Sequence, residues 1–458
     1  MSKLISTNPA KNYELVGSVE ISIREEITEK VALAQKTKKH WKELGVAKRM
    51  EKLWPVYEEL QKRKKELALL ITKEIGKPIT QSLRDLEGNL SDLKSFLNNG
   101  ENYLKDEITH EDEYSLHKIV YEPRGVCAAI APWNYPVDIF LLETIPNLIA
   151  GNPVVFKHSE DCPLTGKLLE EIMEIAKLPK GVFNEVYGDG KVGEYLINQD
   201  IDLILFTGSS KVGKSLYELA GKRFIKTILE LGGSNPGIIF DDISIDRIID
   251  KIYEARFINC GQICDALKRL IVHESKFEEL IHKLKRVVES KKIGNPEDPK
   301  TDIGSLVARR QLELLEAQIK DAIDKGAKVI TGGTKPEGLH GAYYLPTILT
   351  NIKPTMRVWK EEVFGPVLSV ISFKTEEEAV KLANDTKYGL GALVFTNDKE
   401  KAARVAGKLE AGTVEINNAN HWLTCNPFGG YKDSGMGREH GIAGFRELTQ
   451  IKVISIEK

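Results

Sequence analysis

Between residues 125 and 240 short apolar runs alternate with helical segments. The runs are 125–131, 152–157, 182–186, 202–206 and 224–229. This rhythm predicts βαβ units and a parallel sheet. From 241 to about 430 a second α/β rhythm follows, with runs at 269–273, 367–372 and 391–395. The two meet near Leu231-Gly232-Gly233, with no long linker, so they are expected to pack together. Residues 23–107 have a helical pattern punctuated by Pro55 and Gly76-Lys77-Pro78. Residues 113–122 alternate apolar and polar, as a strand with one solvated face does, and 451–456 reads as another strand.

At 458 residues the chain is long enough for two or three domains. Charged residues make up 29% and hydrophobic residues 41%, the balance of a soluble globular protein. A net charge of −2 supplies no field to hold nucleic acid or an anionic membrane. No apolar run approaches the ~18 residues of a membrane helix, and the first residues lack a signal peptide's apolar core. The five cysteines form no C-x-x-C pair, which argues against a disulfide framework or a zinc site. A cytoplasmic protein without a metal is expected.

Three stretches carry chemistry. In 257–269, Phe-Ile-Asn-Cys-Gly-Gln-Ile-Cys-Asp-Ala-Leu-Lys-Arg, a flexible Gly261 and an amide, Gln262, come just before Cys264. A thiol acts as its thiolate, and its surroundings set its reactivity. In Leu229-Glu230-Leu231-Gly232-Gly233 a carboxylate closes an apolar run, where the loops of open α/β sheets carry sites. In Ala131-Pro132-Trp133-Asn134-Tyr135-Pro136 an amide stands between two prolines. Nucleophile, candidate base and candidate oxyanion donor are all present. Each also has a plainer reading: a buried small hydrophobe, an exposed strand-end glutamate, a turn residue.

A rival motif lies at 208–215, Gly-Ser-Ser-Lys-Val-Gly-Lys-Ser, which fits the P-loop pattern G-x-x-x-x-G-K-[ST]. An apolar run precedes it, a helical pattern follows, and Ile238-Ile239-Phe240-Asp241 is similar to the strand-plus-Asp that helps hold magnesium. A P-loop NTPase leaves 131–136, 230–233 and 257–269 without a role.

Those three stretches, in that order, resemble the aldehyde dehydrogenase superfamily. Further matches are Phe156-Lys157-His158-Ser159-Glu160, Phe206-Thr207-Gly208-Ser209, Glu361-Glu362-Val363-Phe364-Gly365-Pro366, Pro427-Phe428-Gly429-Gly430-Tyr431-Lys432 and Ser434-Gly435-Met436-Gly437-Arg438-Glu439. The resemblance implies an α/β fold with a Rossmann-variant cofactor domain, an α/β catalytic domain and a small β oligomerisation arm. The expected boundaries are 1–108 and 123–231 for the cofactor domain and 232–430 for the catalytic domain. Residues 109–122 and 445–458 are expected to form the arm, and 431–444 to return to the cofactor side.

The resemblance also implies NAD-dependent oxidation of an aldehyde to a carboxylic acid. Cys264 would attack the carbonyl, Asn134 would stabilise the oxyanion, and Glu230 would assist hydrolysis of the thioester. Glu439 corresponds to a proposed proton relay, with a surface charge as the plainer reading. Trp133, Lys157, Glu160, Gly208, Ser209, Gly213, Glu362 and Phe364 would meet the cofactor, which no G-x-G-x-x-G announces here. Glu160 favours NAD, because a carboxylate accepts from a free 2′-hydroxyl and repels a 2′-phosphate. His158, where proline is common, could soften that preference, leaving an NADP-preferring member as an alternative.

Tyr135, Ile139, Leu142, Trp422 and Phe428 would line the aldehyde pocket, whose apolar character favours an uncharged organic aldehyde. Asp265, directly after the nucleophile, departs from the family's usual small or neutral residue and should raise the thiol pKa. A succinate-semialdehyde-type substrate is the alternative, with His421 and Thr424 its only anchors in the loop 419–426. A homodimer or homotetramer is implied.

Overall fold

The computed structural model describes residues 2–458. The five apolar runs become the strands Cys127–Ile130, Val154–Lys157, Phe183–Val186, Leu203–Thr207 and Lys226–Glu230. All five lie parallel, because each connection is a helical crossover. In space Cys127–Ile130 is central, flanked on one side by Val154–Lys157 then Phe183–Val186, and on the other by Leu203–Thr207 then Lys226–Glu230. Strand order therefore reverses between Cys127–Ile130 and Leu203–Thr207. Ligands of open α/β sheets bind outside the carboxyl ends at such a switch point. The loops leaving those two ends carry Asn134 and Gly208. A sixth strand, Gly435–Met436, adds antiparallel at the edge and sets Gly435 opposite Glu230.

The second sheet runs Lys328–Thr331, Thr347–Thr350, Val367–Phe373, Leu267–His273, Asn235–Ile239, Gly391–Phe395, Thr413–Ile416. Only Lys328–Thr331 is antiparallel to its neighbour. The runs at 269–273, 367–372 and 391–395 are strands as expected. Four further strands lack a long apolar run and gain their place from pairing. One hydrophobic core surrounds this sheet, and two cover the faces of the first.

Helices Arg24–Glu43, Val46–Ile75 and Ile79–Tyr103 fill most of the region read as helical. Pro55 does not break its helix, because buried Leu53, Val56 and Leu60 hold it against the core. The break falls at Gly45 instead, whose φ of 78° suits glycine. Gly76 ends the second helix at φ 77°. The hairpin of Lys3–Asn8 with Glu14–Glu20 has no counterpart in the sequence reading. Thr449–Glu457, Ser115–Pro123 and Glu107–Glu111 form a separate antiparallel sheet. Its first strand begins inside the region read as helical. Among the described residues no helix is long and apolar enough to cross a membrane.

Candidate active site

A cleft of about 860 Å³ opens between the carboxyl ends of the first sheet's strands and the amino ends of the second sheet's strands. Cys264, Glu230 and Asn134, far apart in sequence, all line it.

The nucleophile loop has an unusual backbone. After helix Ile249–Phe257, Asn259 (φ 50°), Cys260 (φ 55°) and Gly261 (φ 71°) are left-handed in succession. Two of the three carry side chains, so the surroundings must hold the turn. Gln262 does part of this: its Nε2 donates to the Asn259 carbonyl (3.1 Å), and its Oε1 accepts from Val307 N (2.9 Å). Arg256, wholly buried, donates to the carbonyls of Val367 (2.7 Å), Val363 (3.1 Å) and Gly365. Burial pushes its guanidinium down to about 9. A Cβ on Gly261 would overlap the Gly365 carbonyl, so the glycine is required twice.

Cys264 is half-buried. Burial pushes its thiol well above the ordinary range, the Asp265 carboxylate adds to that, and Lys268 opposes it. The Lys268 ammonium is fully buried and donates to the carbonyls of Cys264 (2.7 Å) and Gly233 (2.8 Å) and to Glu362 Oε1 (2.8 Å). One cation thus ties the nucleophile's backbone, the turn between the sheets and the Glu362 carboxylate. The sequence reading did not single out Lys268; its signal was a charged pair, Lys268-Arg269, heading an apolar strand.

Asn134 donates through Nδ2 to the Gln262 carbonyl at 3.1 Å, and its own carbonyl accepts from Asn259 Nδ2 at 3.0 Å. An amide nitrogen has two hydrogens, so one remains for the cleft. Glu230 closes its strand, and its backbone carbonyl accepts from Gly208 N (2.9 Å). Its carboxylate is 3% exposed and neither oxygen has a hydrogen-bond partner. Burial pushes its pKa well up, with Glu439 and Glu143 adding and Arg438 opposing. Glu439 is 8% exposed and is pushed up to about 8 by burial, Asp138 adding. It lines the same cleft rather than the surface.

Trp133, Gly208, Ser209, Glu362 and Phe364 line one end of the cleft. Phe364 meets Trp133 edge to face, ring centres 5.6 Å apart. Ser209 caps the helix Ser210–Gly221 by accepting from Val212 N. Gly213, behind the wall, lets that helix approach Leu231. Lys157 is buried outside the cleft lining, with Nζ on the His158 carbonyl (3.1 Å) and 3.7 Å from the exposed Glu160. His158 points the other way. Its Nε2 is 3.0 Å from Glu185 with both side chains fully buried, and its ring stacks on Phe140. It has no path to a 2′-substituent, so the softening expected of it is corrected.

Tyr135, Ile139, Leu142, Asp265, Trp422 and Phe428 line the other end. Buried Lys77 sits 3.6 Å over the Tyr135 ring and pairs with Asp85 (2.6 Å). Asp92 and Asp138 also line this end. Burial pushes them up to about 6 and about 7, Asp92 and Asp85 adding to the rise at Asp138. Neither was anticipated: Asp92 is one of several acids on its helix, and Asp138 stands in a helix's first turn, where an acid is ordinary.

The rival motif forms no phosphate cradle. Its helix already begins at Ser210, which leaves no open loop. Lys214 pairs with Asp433 at 2.8 Å. Asp241 follows a strand of the other sheet, so the two halves of that motif are not neighbours.

A family profile described as "Aldehyde dehydrogenase family" matches residues 2–454. A betaine aldehyde dehydrogenase of Bacillus subtilis (strain 168) is 38% identical over 452 residues, 96% of this chain and 91% of the relative. Among solved structures, the fold is similar to betaine aldehyde dehydrogenase from Staphylococcus aureus in complex with NAD+. The TM-score is 0.94 and the identity 33%, over 99% of this chain and 91% of that one. An E. coli NADP dependent enzyme is similar at TM-score 0.95 and 32% identity, over 100% and 95%.

Proposed function

The chain belongs to the aldehyde dehydrogenase family, and from that premise we propose that it oxidises an aldehyde to a free carboxylic acid through Cys264, with NAD as cofactor. The observation carrying this is the convergence of Cys264, Glu230 and Asn134 on one cleft beside Glu362 and Phe364.

The Cys264 thiol gives its proton to water in the cleft, and the thiolate attacks the aldehyde carbonyl. The oxyanion accepts from the remaining Asn134 N–H and from the Cys264 backbone N–H. Donors already fixed where charge develops need no reorganisation, and losing one costs ~10²–10³ in rate. A nicotinamide held beside Glu362 and Phe364 would supply the hydride acceptor that oxidation of the attacked carbon requires. Cys264 then holds the acyl group as a thioester. Glu230, ionised, takes a proton from the water that cleaves it, and a raised pKa suits a base working near neutrality. Glu439 passes that proton on. A hydrolytic product is favoured over acyl transfer to another thiol because a base is built into the cleft.

The residues fit a dinucleotide. The helix N-terminus at Ser209 favours a negative group, Lys157 keeps donors for ribose hydroxyls, and Glu362 and Phe364 stand where the nicotinamide ribose and ring would lie. Glu160 favours NAD over NADP, a preference His158 is too buried to soften. Asp85, Asp92 and Asp138 outnumber the exposed Arg84 at the Tyr135 end of the cleft and favour an aldehyde with a cationic far end over succinate semialdehyde, in keeping with the betaine aldehyde named for the relatives. Exposed Ile451, Val453 and Ile456 on the strand Thr449–Glu457 support a homodimer or homotetramer joined there.

The test is NAD reduction by purified protein with a panel of aldehydes, beside an ATP hydrolysis assay. ATP turnover without NAD reduction ends this reading.

A further inference from the structure

We propose that His421 is a positioning residue for Cys264: held between Glu415 and Asp265, its imidazolium cancels the Asp265 charge beside the thiol and fastens the loop 417–426 to the nucleophile. The inference rests on Cys264 being the reactive thiol.

His421 Nδ1 lies 2.6 Å from Glu415 Oε1, and the same oxygen accepts from the His421 backbone N–H at 2.7 Å. On its other side Nε2 lies 3.4 Å from Asp265 Oδ2. That oxygen also accepts from Trp422 Nε1 at 3.2 Å. The side chains of Asp265, Glu415 and His421 are only 9%, 11% and 18% exposed. Without a cation between them, two shielded carboxylates would face one another beside the nucleophile.

The loop is shaped for this contact. Asn417, Asn418 and Asn420 are all left-handed, at φ 55°, 59° and 51°. Asparagine tolerates that conformation better than other side-chain-bearing residues, yet three in four positions still need an anchor. Asn417 Nδ2 supplies one on the Thr396 carbonyl (2.9 Å). Lys251 Nζ on the Asn417 carbonyl (2.7 Å) and Ser95 on Thr424 (2.6 Å) hold its two ends, and over the nucleophile the anchor is Asp265, hydrogen-bonded by Trp422 and ion-paired with His421. The imidazole lies flat against Phe428, 5.8 Å between ring centres and 15° between planes.

The charged and titratable groups facing His421 are Asp265, Glu415 and His440. Burial disfavours its charged form, but the two carboxylates outweigh this and hold it up to about 9. His440, across the Trp422 and Phe428 rings, is pushed down to about 4 by burial and by His421, and so is neutral. With His421 as a cation, Asp265, Glu415 and His421 together carry one negative charge, where the two carboxylates alone would carry two. Asp265 raises the Cys264 thiol pKa, and a cation within ~4–6 Å of a carboxylate offsets such an effect.

The test is alkylation of Cys264 by iodoacetamide in the full chain without substrate, followed by mass spectrometry of the Cys264 peptide. Exposed Cys425 labels in every sample; buried Cys127 and Cys162 stay unlabelled while the fold is intact. At pH 8, His421→Gln is expected to slow alkylation about tenfold, one unit of thiol pKa. Asp265→Asn should speed it, and His421→Gln on that background should add nothing. Wild-type and His421→Gln rates should converge as the pH passes about 9. An unchanged or faster rate in His421→Gln, or equal slowing on the Asp265→Asn background, overturns the proposal. Loosening the loop alone would expose the thiol and speed the reaction, the opposite sign. Should His421→Gln label Cys127 or Cys162, His421→Asn is judged by the same rates. Failure of the enzymatic reading is separate: there Cys264→Ala keeps NAD reduction, whatever the alkylation rates.

Discussion

Asn134 Nδ2 donates to the Gln262 carbonyl at 3.1 Å, joining the loop after the central strand of one sheet to the turn that carries Cys264 before the other. With Asn259 Nδ2 donating to the Asn134 carbonyl at 3.0 Å, two bonds hold the proposed oxyanion donor in register with the nucleophile's loop. Asn134→Ala should lower kcat/KM by ~10²–10³. Steady-state kinetics check this, and a variant within a few-fold of wild type removes Asn134 from the chemistry.

Glu230→Gln should separate the two half-reactions. A pre-steady-state burst of NADH should remain while turnover falls. Because the working form is ionised and its pKa is raised, wild-type deacylation should climb as pH rises towards that pKa. The variant should lose this limb. Unchanged steady-state turnover would contradict the assignment.

Glu439 links the site to stability. Its folded pKa of about 8 stands above the ordinary 4.5. Between those values the folded state binds more protons than the unfolded, so the contribution is present below about pH 4.5 and declines as pH rises through 8. The slope is at most ~1.4 kcal/mol per pH unit. Thermal melts at pH 6 and 9 should show a smaller alkaline loss for Glu439→Gln than for wild type. Equal losses would place the titration elsewhere.

An aldehyde carrying a trimethylammonium or ammonium group should show a lower KM than succinate semialdehyde. Its KM should fall as pH rises through about 6 to 7, where Asp92 and Asp138 ionise. Asp138→Asn should reduce that advantage. The reverse substrate order would show that these carboxylates do not face the substrate.

Arg256→Met should destabilise the fold by at least ~2 kcal/mol, since three buried carbonyls lose their donor. Denaturant melts measure this. A neutral result would mean that the left-handed turn at 259–261 holds without it.

The apolar runs in the chain determined the first sheet, because a fully buried strand needs continuous apolar residues and leaves that mark locally. Cys264, Glu230 and Asn134 stood out for the same reason: each lies in an unusual short context of glycine, proline or amide. Tertiary structure alone decided what surrounds them. Lys268, Asp92 and Asp138 are ordinary charges in sequence, and only the packing of distant segments strips their water, setting Lys268 behind the nucleophile's backbone and the two aspartates on the cleft wall. His158 looked like a cofactor neighbour until the fold paired it with Glu185 inside the core. Asp265 acquired a partner only when a loop more than 150 residues later closed over it. Periodicity and turn chemistry are local and can be read along the chain; electrostatic environment is a property of space, and arises only once the chain has folded.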